Sequence, residues 1–168
     1  MTRISKILVP LDFSKAAQKA MYYATHLALR FSAKLTAAHI VPSFAAFNYS
    51  FPADMSEFEE RSLNEVRKKL PEEIPAEYRE QLNTETILKS GDVRDELLGI
   101  ITGGAGEKVD LVVMGTHGRR SVINLHSKGF FERALRGATA ERVIRSASIP
   151  VLSIPMDAAA ELAPEKVA

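Results

Sequence analysis

The chain has 168 residues, 46% of them apolar, enough for one ordinary globular core. Lys and Arg number 22 against 21 Asp and Glu, a net charge of +1, so no chain-wide electrostatic footprint points to nucleic acid or to an anionic membrane. Cysteine is absent, which excludes a disulfide framework, a thiolate nucleophile and any Cys-based zinc or iron–sulfur site. The opening MTRISKILVPLDFSK meets Lys6 and Asp12 too early for a secretory apolar region, and no apolar run approaches the roughly 18 residues of a membrane span. The expectation is a cytoplasmic protein with neither a membrane nor a nucleic-acid partner.

The first element is a short aliphatic run at 4–9, which reads as a buried strand. Ser14 is placed to cap a helix whose apolar positions, Ala17, Ala20, Met21, Ala24, Leu27, Ala28 and Phe31, recur at helical spacing. A second strand is expected at 35–41. Phe44, Phe47, Tyr49 and Phe51 then fall in a segment with neither period, read as a loop. A weakly patterned helix at 53–70 follows, then a break between Pro71 and Pro75, a charged stretch to Gln81 and a strand at 84–88. Gly91 and Asp92 open another helix carried by Val93, Leu97, Leu98, Ile100 and Ile101 and stopped by Gly103 and Gly104. A fourth strand is expected at 111–114. A helix at about 130–147, with Leu135, Val143, Ile144 and Ala147 as core positions, stops before Pro150, and the last strand is Val151, Leu152, Ser153 and Ile154. Residues 1–156 thus read as one α/β domain and 157–168 as a flexible tail.

Five strands alternating with four helices predict a doubly wound parallel sheet with helices on both faces. With right-handed crossovers and strand order 3-2-1-4-5, the chain reverses between the first and fourth strands, and their carboxyl ends flank the expected ligand crevice. The first ends in Pro10, Leu11 and Asp12; the fourth ends in Met114, Gly115, Thr116, His117 and Gly118, followed by Arg119 and Arg120. Glycines here admit two readings: close approach of backbone amides to an anion, or a tight turn at positive φ.

Taken together, KILVPLDFSKAAQKAMYYA, GDVRDELL, DLVVMGTHGRRS and ATAERVIRSASIPVLSIP resemble the universal stress protein family over nearly the whole chain. Nucleotide-binding members carry G-x2-G-x9-G-[ST], where glycines and a hydroxyl hold phosphates. The resemblance implies that Asp12 contacts ribose, Pro10 and Leu11 border adenine, Val41 touches the base, and Gly115 and Gly118 hold phosphates. It also implies a homodimer joined through Val151, Leu152, Ser153 and Ile154, which would cover an otherwise unpaired sheet edge. The second half of the motif departs: 18 residues separate Gly118 from Gly137, and Ala138 follows where a hydroxyl belongs, with Thr139 one place later. Pairing Gly118 with Gly129 leaves 10 intervening residues but puts Phe130 at the hydroxyl position.

From Arg119 to Arg145 there are seven cations and two carboxylates. One reading is a mixed exposed helix face preceded by a loop; the other has Arg119, Arg120 or Lys128 replacing the missing hydroxyl through charge-assisted phosphate contacts. On the second, replacing both arginines by Ala weakens nucleotide binding. His117 reads as a turn residue or, protonated, as a phosphate donor. His26 and His39 read as structural. No metal-ligand spacing occurs among the four histidines, and no GxSxG, GxxxxGK[ST] or nucleotidyl-transfer signature is present. The 44–51 aromatics read as local packing or as a surface for an unidentified protein partner.

The expected function is a homodimeric stress-response regulator that binds ATP, with magnesium accompanying it, or AMP, and has little or no catalytic turnover. A monophosphate needs fewer phosphate contacts, which makes it credible if the glycine–hydroxyl half of the site is lost. A nucleotide-free interaction module of the same fold is the alternative, for which the missing hydroxyl argues, and a slow ATP hydrolase or autokinase a weaker one, since no general base is placed near a γ-phosphate.

Overall fold

The computed structural model describes residues 3–42, 54–104, 106, 108–116 and 138–155. In chain order these form β1 (Lys6–Pro10), α1 (Lys15–Phe31), β2 (Lys34–Pro42), α2 (Asp54–Lys69), a 3₁₀ turn (Leu70–Glu73), α3 (Ala76–Arg79), β3 (Thr84–Gly91), α4 (Val93–Ile101), β4 (Leu111–Gly115), α5 (Ala138–Ser146) and β5 (Val151–Ile154). The five strands are all parallel, in the order β3-β2-β1-β4-β5, as the alternation of elements predicts. The aromatic cluster at 44–51, residues 117–137 and the tail at 157–168 lie outside the described residues.

Strand side chains alternate between two apolar layers. Ile7, Val9, Leu35, Ala37, Leu111 and Val113 pack with Ala17, Ala20, Met21, Ala24 and Ala28 of α1. Leu8, Ala38, Ile40, Val112 and Met114 pack with Leu97, Ile100 and Ile101 of α4 and with Ala140 and Val143 of α5. Because both faces are covered, the strands read as continuous apolar runs. The alanines of α1 keep that helix close to the sheet, while its ends are fixed by local chemistry. Ser14 Oγ accepts the Ala17 N–H at 3.2 Å, and Ser32 closes the helix in the left-handed conformation (φ 51°, ψ 41°).

Several boundaries and packing positions differ from expectation. β1 starts at Lys6 rather than Ile4, because the Asp110 carboxylate takes the Ser5 and Lys6 amides at 2.8 and 3.0 Å. β3 runs three residues past Leu88, pairing Lys89, Ser90 and Gly91 with Ile40, Val41 and Pro42; the Lys89 ammonium is neutralised by Glu96 at 2.6 Å. The stretch after Pro71 is ordered as the 3₁₀ turn and α3. Leu70, Ile74 and Leu82 are buried there with Tyr78 against them, and Arg79 donates to the Ile74 and Glu72 carbonyls at 2.8 and 3.0 Å. Ile144, expected in the core, is 47% exposed, whereas Val143 is fully buried and Ala147 packs at the margin. The α4 stop is as expected: the helix ends at Ile101 and Gly103 adopts φ 93°, where a side chain would be strained.

At the amino-terminal edge of the sheet, Glu85 Oε2 gathers Lys6 Nζ at 3.0 Å, Lys34 Nζ at 3.2 Å and Thr36 Oγ1 at 3.2 Å. The Lys6 side chain is only 5% exposed, so this carboxylate balances a buried cation. Partial burial by itself raises Glu85, but hydrogen bonds and charge from Lys6 and Lys34 outweigh it and hold the carboxyl below its usual value. Asp110 behaves alike: burial is outweighed by the Ser5 hydroxyl, the Ser5 and Lys6 amides and the Lys108 charge.

Candidate functional site

The opposite, carboxyl-terminal edge is built by an early stop in one ladder. β1 pairs with β4 at Ile7–Leu111 and Leu8–Val112, whereas its pairing with β2 continues to Pro10–Ala38. In β1, alternate residues direct their amides to alternate neighbours. Lys6 faces the β4 side, donating to Asp110, and Leu11 faces β2, donating to Ala38 O at 2.7 Å. Pro10 therefore has its missing N–H on the β4 side, where pairing has ended. The reversal of strand order opens there, with Asp12 at one lip and Gly115 and Thr116 at the other.

Asp12 sits in a tight turn between β1 and α1. Its Oδ1 accepts the Ser14 N–H at 3.1 Å, so one carboxylate oxygen is held by the turn that the helix cap also uses. Between them, Phe13 adopts φ 60°, a region that costs an L side chain about 1–2 kcal/mol. The turn is braced from β2. His39 Nδ1 lies 2.6 Å from Leu11 O; a carbonyl only accepts, so the ring donates. The same ring packs on Phe13 with centroids 4.8 Å apart and planes tilted by 47°. His39 is thus structural as expected, but its place beside the candidate site is not readable from spacing. Neither is the role of Phe13, since only the backbone angle reveals it.

The remaining predicted residues divide plainly. Leu11 is 4% exposed in the α1 layer and Met114 is 5% exposed in the α4–α5 layer. Val41 is half-buried and pairs with Ser90. Gly115 does not lie at positive φ, which corrects that reading of it; a Cβ there would meet Ala16 Cβ at 2.8 Å and the Ala16 carbonyl carbon at 2.9 Å. The first turn of α1 therefore passes directly behind the end of β4, and glycine is needed for that approach. Thr116 N donates to Ile154 O at 3.0 Å, extending the β4–β5 pairing. His117, Gly118, Arg119, Arg120, Gly129 and Gly137 lie outside the described residues. Ala138 is the first residue of α5 and Thr139, beside it, is exposed. Because a crossover helix runs back along the sheet, this first turn lies toward the strand ends that carry Asp12.

Among the described residues, no group of three or more His, Cys, Asp or Glu is placed to hold a metal ion, and no helix is long and apolar enough to cross a membrane. β5 occupies the sheet edge with β4 as its neighbour; Leu152 is 39% exposed and Ser153 is exposed.

Five parallel strands in the order β3-β2-β1-β4-β5, covered by helices on both faces, define the doubly wound class of α/β proteins. The sequence profile of the Universal stress protein family matches residues 3–155, and the chain belongs to that family. It is 30% identical over 154 residues to Universal stress protein MJ0531 of Methanocaldococcus jannaschii, covering 89% of this chain and 81% of that protein. Universal stress protein UspA from Lactobacillus plantarum superimposes with a TM-score of 0.65 at 25% identity, covering 92% of this chain and 99% of that one. A universal stress protein in complex with cAMP (TM-score 0.53, 21% identity, 91% and 98% coverage) shares the fold. So does an Arabidopsis thaliana family protein with AMP bound (TM-score 0.51, 17% identity, 92% and 93% coverage).

Proposed function

We propose that this universal stress protein binds an adenine nucleotide of the AMP class at the β1–β4 switch point and acts as a homodimeric cytoplasmic regulator rather than as a catalyst. The observation that carries the reading is the Asp12 turn: a carboxylate held by the Ser14 amide at 3.1 Å, at the end of the central strand, where the neighbouring ladder has stopped. A fixed carboxylate is a suitable acceptor for a pair of ribose hydroxyls. Two relatives of the same fold carry AMP or cAMP, and monophosphates require fewer phosphate contacts than ATP with magnesium. The Ala138 start of α5, without a hydroxyl of its own, favours the smaller ligand. Binding to the folded state alone would stabilise the fold by mass action, which links occupancy to persistence or partner choice.

The test is to denature freshly purified protein, identify any released small molecule, and titrate the ligand-free chain calorimetrically with AMP, cAMP and ATP with magnesium. Bound or titratable AMP supports the reading. Absence of both favours a second one, a nucleotide-free interaction module, to which the same Ala138 also points.

A further inference from the structure

We propose that His39 is a positioning residue for the Asp12 ligand contact, acting through the left-handed turn at Phe13; the inference rests on the nucleotide reading above. Asp12 stands between two residues that β2 restrains. Before it, both backbone groups of Leu11 are engaged: its N–H by Ala38 O at 2.7 Å and its C=O by His39 Nδ1 at 2.6 Å. After it, Phe13 is kept at φ 60° with its ring 4.8 Å from the His39 imidazole. One side chain therefore grips the turn on both sides of the carboxylate. The bond from Ser14 N to Asp12 Oδ1 spans two residues and orients the carboxylate within the turn. Against the sheet the turn is held by the Leu11 N–H bond to Ala38 O and, from a side chain, by His39. Both the Nδ1–H neutral ring and the imidazolium donate from the same nitrogen, so the grip does not depend on the charge of the ring.

Remove the imidazole and the Leu11 carbonyl loses its donor while Phe13 loses the contact that holds a conformation L side chains rarely adopt. The turn then relaxes toward negative φ, and Asp12 leaves the direction in which it faces the switch point. His39 need not touch the ligand for this; it sets where the contacting group stands.

The experiment is a mutant cycle read by AMP titration of folded protein, with circular dichroism and thermal melting as checks. His39→Leu is expected to weaken AMP binding by about tenfold, the scale of coupling between groups in contact. His39→Asn, whose amide carries an N–H at the position of Nδ1, is expected to recover most of that loss. Asp12→Ala combined with His39→Leu is expected to bind no more weakly than Asp12→Ala alone. Should His39→Leu fail to fold, Phe13→Gly decides: glycine is at ease at φ 60°, so the turn survives but is no longer held, and affinity falls likewise. Wild-type affinity in His39→Leu or in Phe13→Gly overturns the proposal, as does a His39→Leu loss that adds fully to that of Asp12→Ala. A wild-type chain that binds none of AMP, cAMP and ATP overturns the nucleotide reading itself, and this inference with it.

Discussion

Two non-glycine residues of the described chain lie at positive φ, Phe13 and Ser32, and their surroundings predict opposite responses to glycine. Ser32 is an exposed helix cap whose amide donates to Leu29 O at 3.3 Å, a bond any residue supplies. Ser32→Gly is therefore expected to stabilise the fold by about 0.5 kcal/mol, measured as a rise in the denaturant midpoint at unchanged slope. At Phe13 the same change also removes a ring packed against the α1 layer and His39. There it is expected to destabilise by about 1–2 kcal/mol despite the relieved backbone. On the proposed nucleotide reading, Asp12→Ala is expected to weaken AMP binding by at least roughly tenfold, the worth of about one charge-assisted hydrogen bond, with calorimetry as the check.

Among the elements, the helices with strong caps show how closely local chemistry sets boundaries. Asp92 Oδ1 accepts the Arg94 and Asp95 amides at 3.0 and 3.1 Å, so Asp92→Ala is expected to cost about 1 kcal/mol in chemical denaturation. Such signals are visible in a bare sequence and make α1 and α4 legible, whereas the strands are legible chiefly from their apolar runs. The 3₁₀ turn and α3 are not, although Leu70, Ile74, Tyr78 and Leu82 recur every four residues; Pro71 and Pro75 interrupt the stretch, and four acidic residues, Glu72, Glu73, Glu77 and Glu80, lie within it. Ile144 was misplaced because the apolar pair Val143–Ile144 does not say which member faces the sheet. The Asp12 turn was legible as an acidic residue at a switch point, but its brace from β2 joins residues 11 and 39 through tertiary contact alone. At the other end of the chain, β5 offers Leu152 and an unshared edge. If that edge joins two copies, Leu152→Lys is expected to shift the protein toward monomer in light scattering at micromolar concentration, with little change in the far-ultraviolet spectrum.

For the molecule as a whole, the two ends of the sheet divide the labour. The carboxyl-terminal edge carries the candidate site, and the amino-terminal edge carries the charges that tie β1, β2, β3 and the start of β4 together. Lys6 belongs to both ties, through its ammonium to Glu85 and through its amide to Asp110. Both carboxyls ionise below their usual values in the folded chain. Their contribution to stability is therefore complete above the unfolded values, about 3.9 for Asp and 4.3 for Glu, and is lost as the pH falls through the lower folded values. The unfolding free energy is expected to decline as the pH drops below about 4.5, and Glu85→Gln with Asp110→Asn to flatten that decline in denaturation series. Glu85→Ala, which leaves the Lys6 ammonium buried with its partner gone, is expected to cost on the order of 2 kcal/mol at neutral pH.

The contact between Gly115 and Ala16 changes what a glycine at the end of β4 can tell an experimenter. Gly115→Ala drives a methyl group into α1, and shortening Ala16 to glycine clears only the Cβ, leaving its carbonyl carbon and oxygen 2.9 and 3.0 Å from the new atom. No single compensating substitution at Ala16 makes room. A loss of binding in Gly115→Ala would therefore report a displaced helix as readily as a lost phosphate contact. By the same geometry, selection for a folded protein alone would keep this glycine in a chain that had given up its ligand.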